Sequence, residues 1–185
     1  MVPSQREDTQ IEYLMVTLER ELDLDSIDNI LEVGVGYGRV AKALLSYFRI
    51  HHLIRPAYTG LDISYETLKQ SEKYLELKAV GSNYFKCHAD FEAENIGLTK
   101  KFDLVISVET MSVVPYDVEF WIDKMVSLSN KYVVNLDFRS SNDVLTNCPP
   151  HPYEIYYNGN DRVVKLDRFR TPSRPAEEIF IARVC

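Results

Sequence analysis

Glu32-Val-Gly-Val-Gly-Tyr-Gly38 places one acid and three glycines at alternating positions, where the apolar run Ile30, Leu31, Val33, Val35 gives way to Arg39-Val-Ala-Lys-Ala-Leu-Leu45. Such a passage reads as a buried strand, a tight turn and a helix. Glycines at 34, 36 and 38 allow left-handed backbone and let a ligand approach the main chain. The unpaired N–H groups that open the following helix then face that ligand. Two further acids stand at the ends of extended stretches: Asp62 after Ala57-Tyr-Thr-Gly-Leu61, and Asp90 after Tyr84-Phe-Lys-Cys-His-Ala89. A carboxylate at a strand tip offers two acceptor oxygens, which suits the paired hydroxyls of a ribose. The residues alone equally allow Asp62 or Ser64 to cap the next helix, and Asp90 to be a solvated loop acid. A dinucleotide fingerprint would need its third glycine at position 39, where the chain has Arg39. Metal chemistry is not expected. His51, His52, His88 and His151 lack an H-E-x-x-H arrangement, and Cys87, Cys148 and Cys185 form no C-x-x-C pair.

The acid-x-G-x-G-x-G pattern at 32–38 resembles motif I of the class I S-adenosylmethionine (SAM)-dependent methyltransferases. Three later segments resemble that family in the same order: Gly60-Leu-Asp-Ile-Ser64, Asp90-Phe91, and Phe102-Asp-Leu-Val-Ile-Ser-Val-Glu109. The resemblance implies that Glu32 helps hold the methionine ammonium group and that Gly34, Gly36 and Gly38 pass beneath methionine and ribose. It assigns Asp62, with Ile63 beside it, to the ribose. It assigns Asp90 to the adenine amino group and Phe91 to the covering of the ring. Val108 and Glu109, at the end of the fourth strand, border adenine and the transferable methyl. SAM is then the cofactor and S-adenosylhomocysteine the product, with in-line transfer to an oxygen, nitrogen or sulfur nucleophile.

The acceptor side departs from the family's pattern. Many relatives carry a histidine base after the fourth strand, and in that alignment this chain has Val113. His151-Pro-Tyr-Glu154 resembles instead the short helix start that small-molecule members place after strand five. His151, Glu109 and Tyr116 are therefore the catalytic candidates, with Tyr153 also facing the acceptor. A surface histidine beside two prolines, Pro150 and Pro152, is the competing reading of His151. The missing base and the acidic N-terminal stretch also allow a second function, a non-catalytic SAM-binding subunit that acts as an interaction partner.

The elements that must position these residues follow from periodicity. Ile11, Leu14, Met15, Leu18 and Leu22 mark an amphipathic helix over about 9–22. Helices are predicted at 40–49, 65–80 (closed by Gly81) and 117–128, and strands at 30–35, 57–63, 84–89, 102–109 and 132–138. A polar, proline-bearing loop spans 139–153, and two β-rich segments at 162–169 and 178–184 fit the family's closing hairpin. The expected fold is α/β: a seven-stranded, mostly parallel sheet with an antiparallel last strand and helices on both faces, a Rossmann-like αβα sandwich filling residues 1–185 as one domain.

Composition agrees with this class. A chain of 185 residues, 45% hydrophobic and 26% charged, is long enough for one core that buries roughly 70% of its unfolded surface. The net charge of −7 resides in residues 1–32, where nine acids face Arg6 and Arg20, and the remainder carries 19 charges of each sign. A neutral body without a basic stripe favours a small-molecule acceptor over nucleic acid. Arg162, Lys165, Arg168, Arg170 and Arg174 do cluster, but Asp161, Asp167, Glu177 and Glu178 interleave with them. No apolar run approaches the ~20 residues of a membrane span, and no signal-peptide pattern opens the sequence, so the expected location is the cytoplasm.

Overall fold

A computed structural model describes residues 5–51, 56–77, 84–93, 96–111, 117–138, 152–172 and 177–185. The contacts divide the chain into two units, Met1–His88 and Ala89–Cys185.

The first unit runs α1 (Gln5–Glu21), a 3-10 turn (Leu24–Ser26), β1 (Asn29–Val33), α2 (Arg39–Ile50), β2 (Ala57–Asp62), α3 (Tyr65–Leu77) and β3 (Tyr84–His88). All its strand pairs are parallel, with β2 between β1 and β3: Glu32 lies opposite Gly60, and Gly60 opposite Lys86. β1 buries Ile30, Leu31 and Val33 completely, as a parallel strand covered on both faces must. β3 exposes Phe85 and Lys86. On α2, Val40, Ala41, Leu44, Leu45 and Phe48 fall on one buried stripe, the spacing of a helix with a single apolar face. The predicted N-terminal helix exists and begins at Gln5 rather than 9; it packs on α2, with Leu14 and Leu18 fully buried.

The second unit runs β4 (Phe102–Val108), α4 (Val118–Leu128), β5 (Ser129–Phe138), α5 (Tyr153–Gly159), β6 (Val163–Arg170) and β7 (Glu177–Val184). Every residue of β4 is buried. Asp117 caps α4 by accepting the Phe120 N–H at 3.1 Å, which satisfies one of the orphan donors of the first turn. β5 starts at Ser129, three residues before the predicted Tyr132, because it follows α4 without a loop. β4 and β5 are parallel, while β7 runs antiparallel to both β5 and β6. The closing hairpin thus has the predicted form. Arg162 ties its open end down, donating to the carbonyls of Cys185 (3.1 Å), Val126 (2.6 Å) and Ser129 (3.0 Å). Among the described residues, no helix is long and apolar enough to cross a membrane, and no group of three or more His, Cys, Asp or Glu is arranged to hold a metal ion.

Candidate functional site

The turn after β1 is built from left-handed backbone at alternate residues: φ is 77° at Gly34, 53° at Gly36 and 82° at Gly38. It hangs on the end of β2, since the N–H groups of Gly34 and Val35 both donate to the Leu61 carbonyl, at 2.8 and 3.0 Å. Gly36 and Gly38 do different work. A Cβ at Gly38 would come within 3.3 Å of Ser71 Cβ, so this glycine lets α3 close on the turn. A Cβ at Gly36 would meet nothing within 4 Å. Gly36 therefore fronts open space, with bare backbone toward it.

Asp62 reaches across to this turn. Its Oδ2 accepts the Gly36 N–H at 3.0 Å and its Oδ1 accepts the Ser64 N–H at 2.9 Å. The question of which residue caps α3 is settled by the next contact: Ser64 Oγ accepts the Thr67 N–H at 3.2 Å. Ser64 is the cap, and Asp62 is the link between strand tip and glycine turn. Each of its oxygens keeps a further lone pair for a ligand. Ile63 projects into solvent, two-thirds exposed.

Glu32 lies inside rather than at the surface, at 2% exposure. The Tyr58 hydroxyl donates to its Oε2 at 2.7 Å, and the Ala41 N–H at the start of α2 also bonds to it. Burial pushes this carboxyl up from 4.5 to about 8, against the opposing pull of Tyr58, Arg39 and Ala41. A neutral carboxyl therefore underlies the turn at pH 7.

The second unit carries the other candidates. Asp90 is exposed, and its Oδ1 accepts the Glu92 N–H at 2.9 Å. The Phe91 ring is buried against Trp121, with centroids 4.8 Å apart, so its aromatic face is used within the unit. Val108 ends β4 and is buried. Glu109, which follows, has φ 54°, and is the one non-glycine residue with positive φ among those described. Its N–H donates to Leu136 O at 2.8 Å, which holds a backbone conformation that side chains rarely adopt. Tyr153, expected to face the acceptor, instead sits in the core of α5 at 1% exposure, its ring 5.5 Å from that of Phe180. Tyr116 and His151 lie outside the described residues, as does Val113.

Residues 31–131 match the family model described as methyltransferase domain, more than half of the chain. The chain belongs to this family. No curated protein sequence matches it. Among solved structures, the methyltransferase superposes on magnesium protoporphyrin IX methyltransferase from Synechocystis PCC 6803 with bound S-adenosylhomocysteine, at 17% identity and TM-score 0.73, over all of this chain and 89% of that one. It is similar to a SAM-dependent methyltransferase from Clostridium acetobutylicum ATCC 824 at 9% identity and TM-score 0.72, covering 96% and 91% of the two chains. The methyltransferase domain of bacterial CtHen1-C is similar at 9% identity and TM-score 0.70, over 96% and 98%. The fold is the seven-stranded, mostly parallel sheet with flanking helices of the SAM-dependent class I enzymes, as the sequence implied.

The residues present fit the cofactor of a SAM-dependent methyltransferase. Open space above Gly36, the half-buried Asp62 carboxylate beside it and the N–H groups of the left-handed turn make a cradle for a polar, nucleoside-bearing ligand. Two features of this methyltransferase escaped the sequence reading. The first is the polar support of the turn: Tyr58 under Glu32, and Tyr84, whose hydroxyl bonds to Ser71 Oγ at 2.7 Å and would clash with a Cβ at Gly60. A glycine inside a strand was the available signal. The second is a buried polar row in the second unit. Ser107 pairs with Asn135, and Asn135 with Phe180, onto whose ring Tyr157 of α5 stacks at 6.3 Å. Among the described residues, the buried Ser107 hydroxyl, Asn135 amide and Tyr157 hydroxyl have no hydrogen-bond partner.

Proposed function

We propose that this methyltransferase transfers the methyl group of SAM to an oxygen, nitrogen or sulfur atom of a small molecule. The observation that carries the reading is the Asp62–Gly36 link across a turn whose three glycines are all left-handed. Bound SAM supplies the methyl on a sulfonium centre, an electrophile that needs no metal or redox partner from the protein.

In this reading Gly34, Gly36 and Gly38 present backbone to the methionine and ribose, Asp62 accepts the ribose hydroxyls with Ile63 alongside, and Glu32 fixes the turn toward the ammonium group. Asp90 accepts from the adenine amino group. The Phe91 side chain is committed to Trp121, so the contact of this residue with adenine falls to its main chain. Val108 and Glu109 serve the segment nearest the methyl. Glu109, Tyr116 and His151 are the proposed acceptor-side residues. With valine in the place of the common histidine base, alignment of the nucleophile is the main lever, and orientation alone can supply several kcal/mol of a barrier, up to about 7–11. An imidazole at His151, with an unperturbed pKa of about 6.5, suits removal of a proton from the acceptor at neutral pH. The balanced charge of residues 33–185 supports a small acceptor in place of nucleic acid, and the same reading puts the protein in the cytoplasm.

Calorimetric titration with SAM and S-adenosylhomocysteine tests the assignment. Asp62→Ala removes the acceptor of the Gly36 N–H, and Gly36→Val fills the open space while forcing a branched side chain to a left-handed φ. Each is expected to weaken binding at least tenfold, the equivalent of about 1.4 kcal/mol. Wild-type affinity in both variants overturns the site.

A further inference from the structure

The segment that carries Asp90 is tied to α4 at several points. The Lys124 ammonium donates to the Phe91 carbonyl at 2.7 Å and to the Ala93 carbonyl at 2.5 Å. The same nitrogen lies 5.1 Å from the centroid of the Phe91 ring and 5.4 Å from that of Phe120. One helical turn earlier, Trp121 packs its ring on Phe91, and its Nε1–H donates to the Glu92 carboxylate at 3.1 Å. Within the segment, the Asp90 carbonyl accepts the Ala93 N–H at 3.1 Å and Asp90 Oδ1 accepts the Glu92 N–H. Two peptide carbonyls of the segment, those of Phe91 and Ala93, thus share a single ammonium.

Charge-assisted hydrogen bonds are roughly twice as strong as neutral ones, and here they fall on main-chain carbonyls, which have no rotamer of their own. Partial burial pushes the Lys124 ammonium below the ordinary lysine range, while the nearby Asp90 carboxylate opposes that shift. The turn within the segment uses Asp90 Oδ1, and a carboxylate carries acceptor lone pairs on both oxygens.

We propose that Lys124 is a positioning residue for adenine recognition: by holding the Phe91 and Ala93 carbonyls it fixes the direction in which Asp90 presents its carboxylate to an exocyclic amino group. This rests on the assignment of Asp90 to the adenine end. A carboxylate oxygen accepts from an amino group and is repelled by a carbonyl in its place, so the sensitive quantity is the preference for S-adenosylhomocysteine over its deaminated counterpart, S-inosylhomocysteine.

Both ligands are titrated calorimetrically into the wild type, Asp90→Ala, Lys124→Met and Lys124→Arg. The wild type is expected to prefer the adenine ligand, and Asp90→Ala to abolish the preference. Lys124→Met keeps the aliphatic stem over Phe91 and Phe120 but donates nothing. It is expected to lower the preference roughly threefold to tenfold while leaving the affinity for the inosine ligand within about twofold. Lys124→Arg, which can still donate to two carbonyls, is expected to restore most of it. If Asp90→Ala leaves the preference intact, the adenine assignment falls and the proposal with it. If Asp90→Ala abolishes the preference and Lys124→Met does not lower it, Lys124 alone is refuted. Equal weakening of both ligands by Lys124→Met would mark a general structural effect and also refutes the proposal. Should Lys124→Met fail to fold, Trp121→Phe removes the Glu92 hydrogen bond and keeps an aromatic ring on Phe91. An unchanged preference in that variant refutes the α4 tether.

Discussion

Glu32→Gln takes a titrating group out of the support of the glycine turn without changing its size. Its carboxyl is held at about 8 in the folded chain against an ordinary 4.5, chiefly by burial. Between those values the folded protein keeps a proton that the unfolded chain releases. The stability this group contributes is therefore complete below the unfolded value and is lost as pH rises toward 8. The limiting slope is about 1.4 kcal/mol per pH unit, so the wild type should lose about 2–3 kcal/mol between pH 6 and pH 8 from this carboxyl alone. In a protein of this size that is roughly 5–10 °C of melting temperature. The other groups around Glu32 do not produce the same signature. Burial holds the Tyr58 and Tyr84 phenols above their ordinary range, outside the window. Glutamine still offers Tyr58 an acceptor oxygen. Urea unfolding followed by circular dichroism at pH 6, 7 and 8 should show a variant with a flatter profile, close to the wild type at pH 6 and more stable at pH 8. Parallel profiles for the two proteins would refute a buried, protonated Glu32.

Gly60→Ala should destabilise the protein by about 1–3 kcal/mol, because the new methyl displaces the Tyr84 hydroxyl. In a Tyr84→Ala background the same change should be close to neutral, and a double-mutant cycle in urea with no coupling would refute the steric account. His151→Ala should reduce the rate of methyl transfer about a hundredfold or more at neutral pH while leaving SAM binding intact. A turnover equal to the wild type would remove His151 from the chemistry.

What could be read from the sequence followed from how local its cause is. The glycine turn was legible because each glycine answers to its own backbone: all three proved left-handed, and their spacing needs no knowledge of a neighbour. β4 was legible because a strand buried on both faces is apolar at every position except Asp103 and Ser107. The role of Asp62 was half legible. Its place at the strand tip was clear, but the choice between cap and link depended on Ser64 Oγ reaching Thr67 and on Gly36 standing within 3.0 Å, both set by how β2 meets the turn. Tyr153 misled because an aromatic residue after a polar loop reads the same whether its ring faces a ligand or Phe180.

The buried polar groups were the least legible, for a reason that also bears on function. Ser107 and Asn135 sit in sequences that alternate little in polarity, and only strand register reveals that they share one row with Phe180. Each buried polar group left unpaired is costly by about 1–3 kcal/mol, and among the described residues the Ser107, Asn135 and Tyr157 side chains have no hydrogen-bond partner. Apolar residues of similar volume at these positions would avoid that cost. In the first unit the same argument has an answer: Glu32 is equally buried, but Tyr58 and Ala41 satisfy it, and its energetic burden falls on a turn that has a ligand to meet. The contrast separates two kinds of buried polarity in this methyltransferase: a carboxyl satisfied by Tyr58 and Ala41 under the glycine turn, and a Ser107–Asn135–Tyr157 group with no hydrogen-bond partner among the described residues.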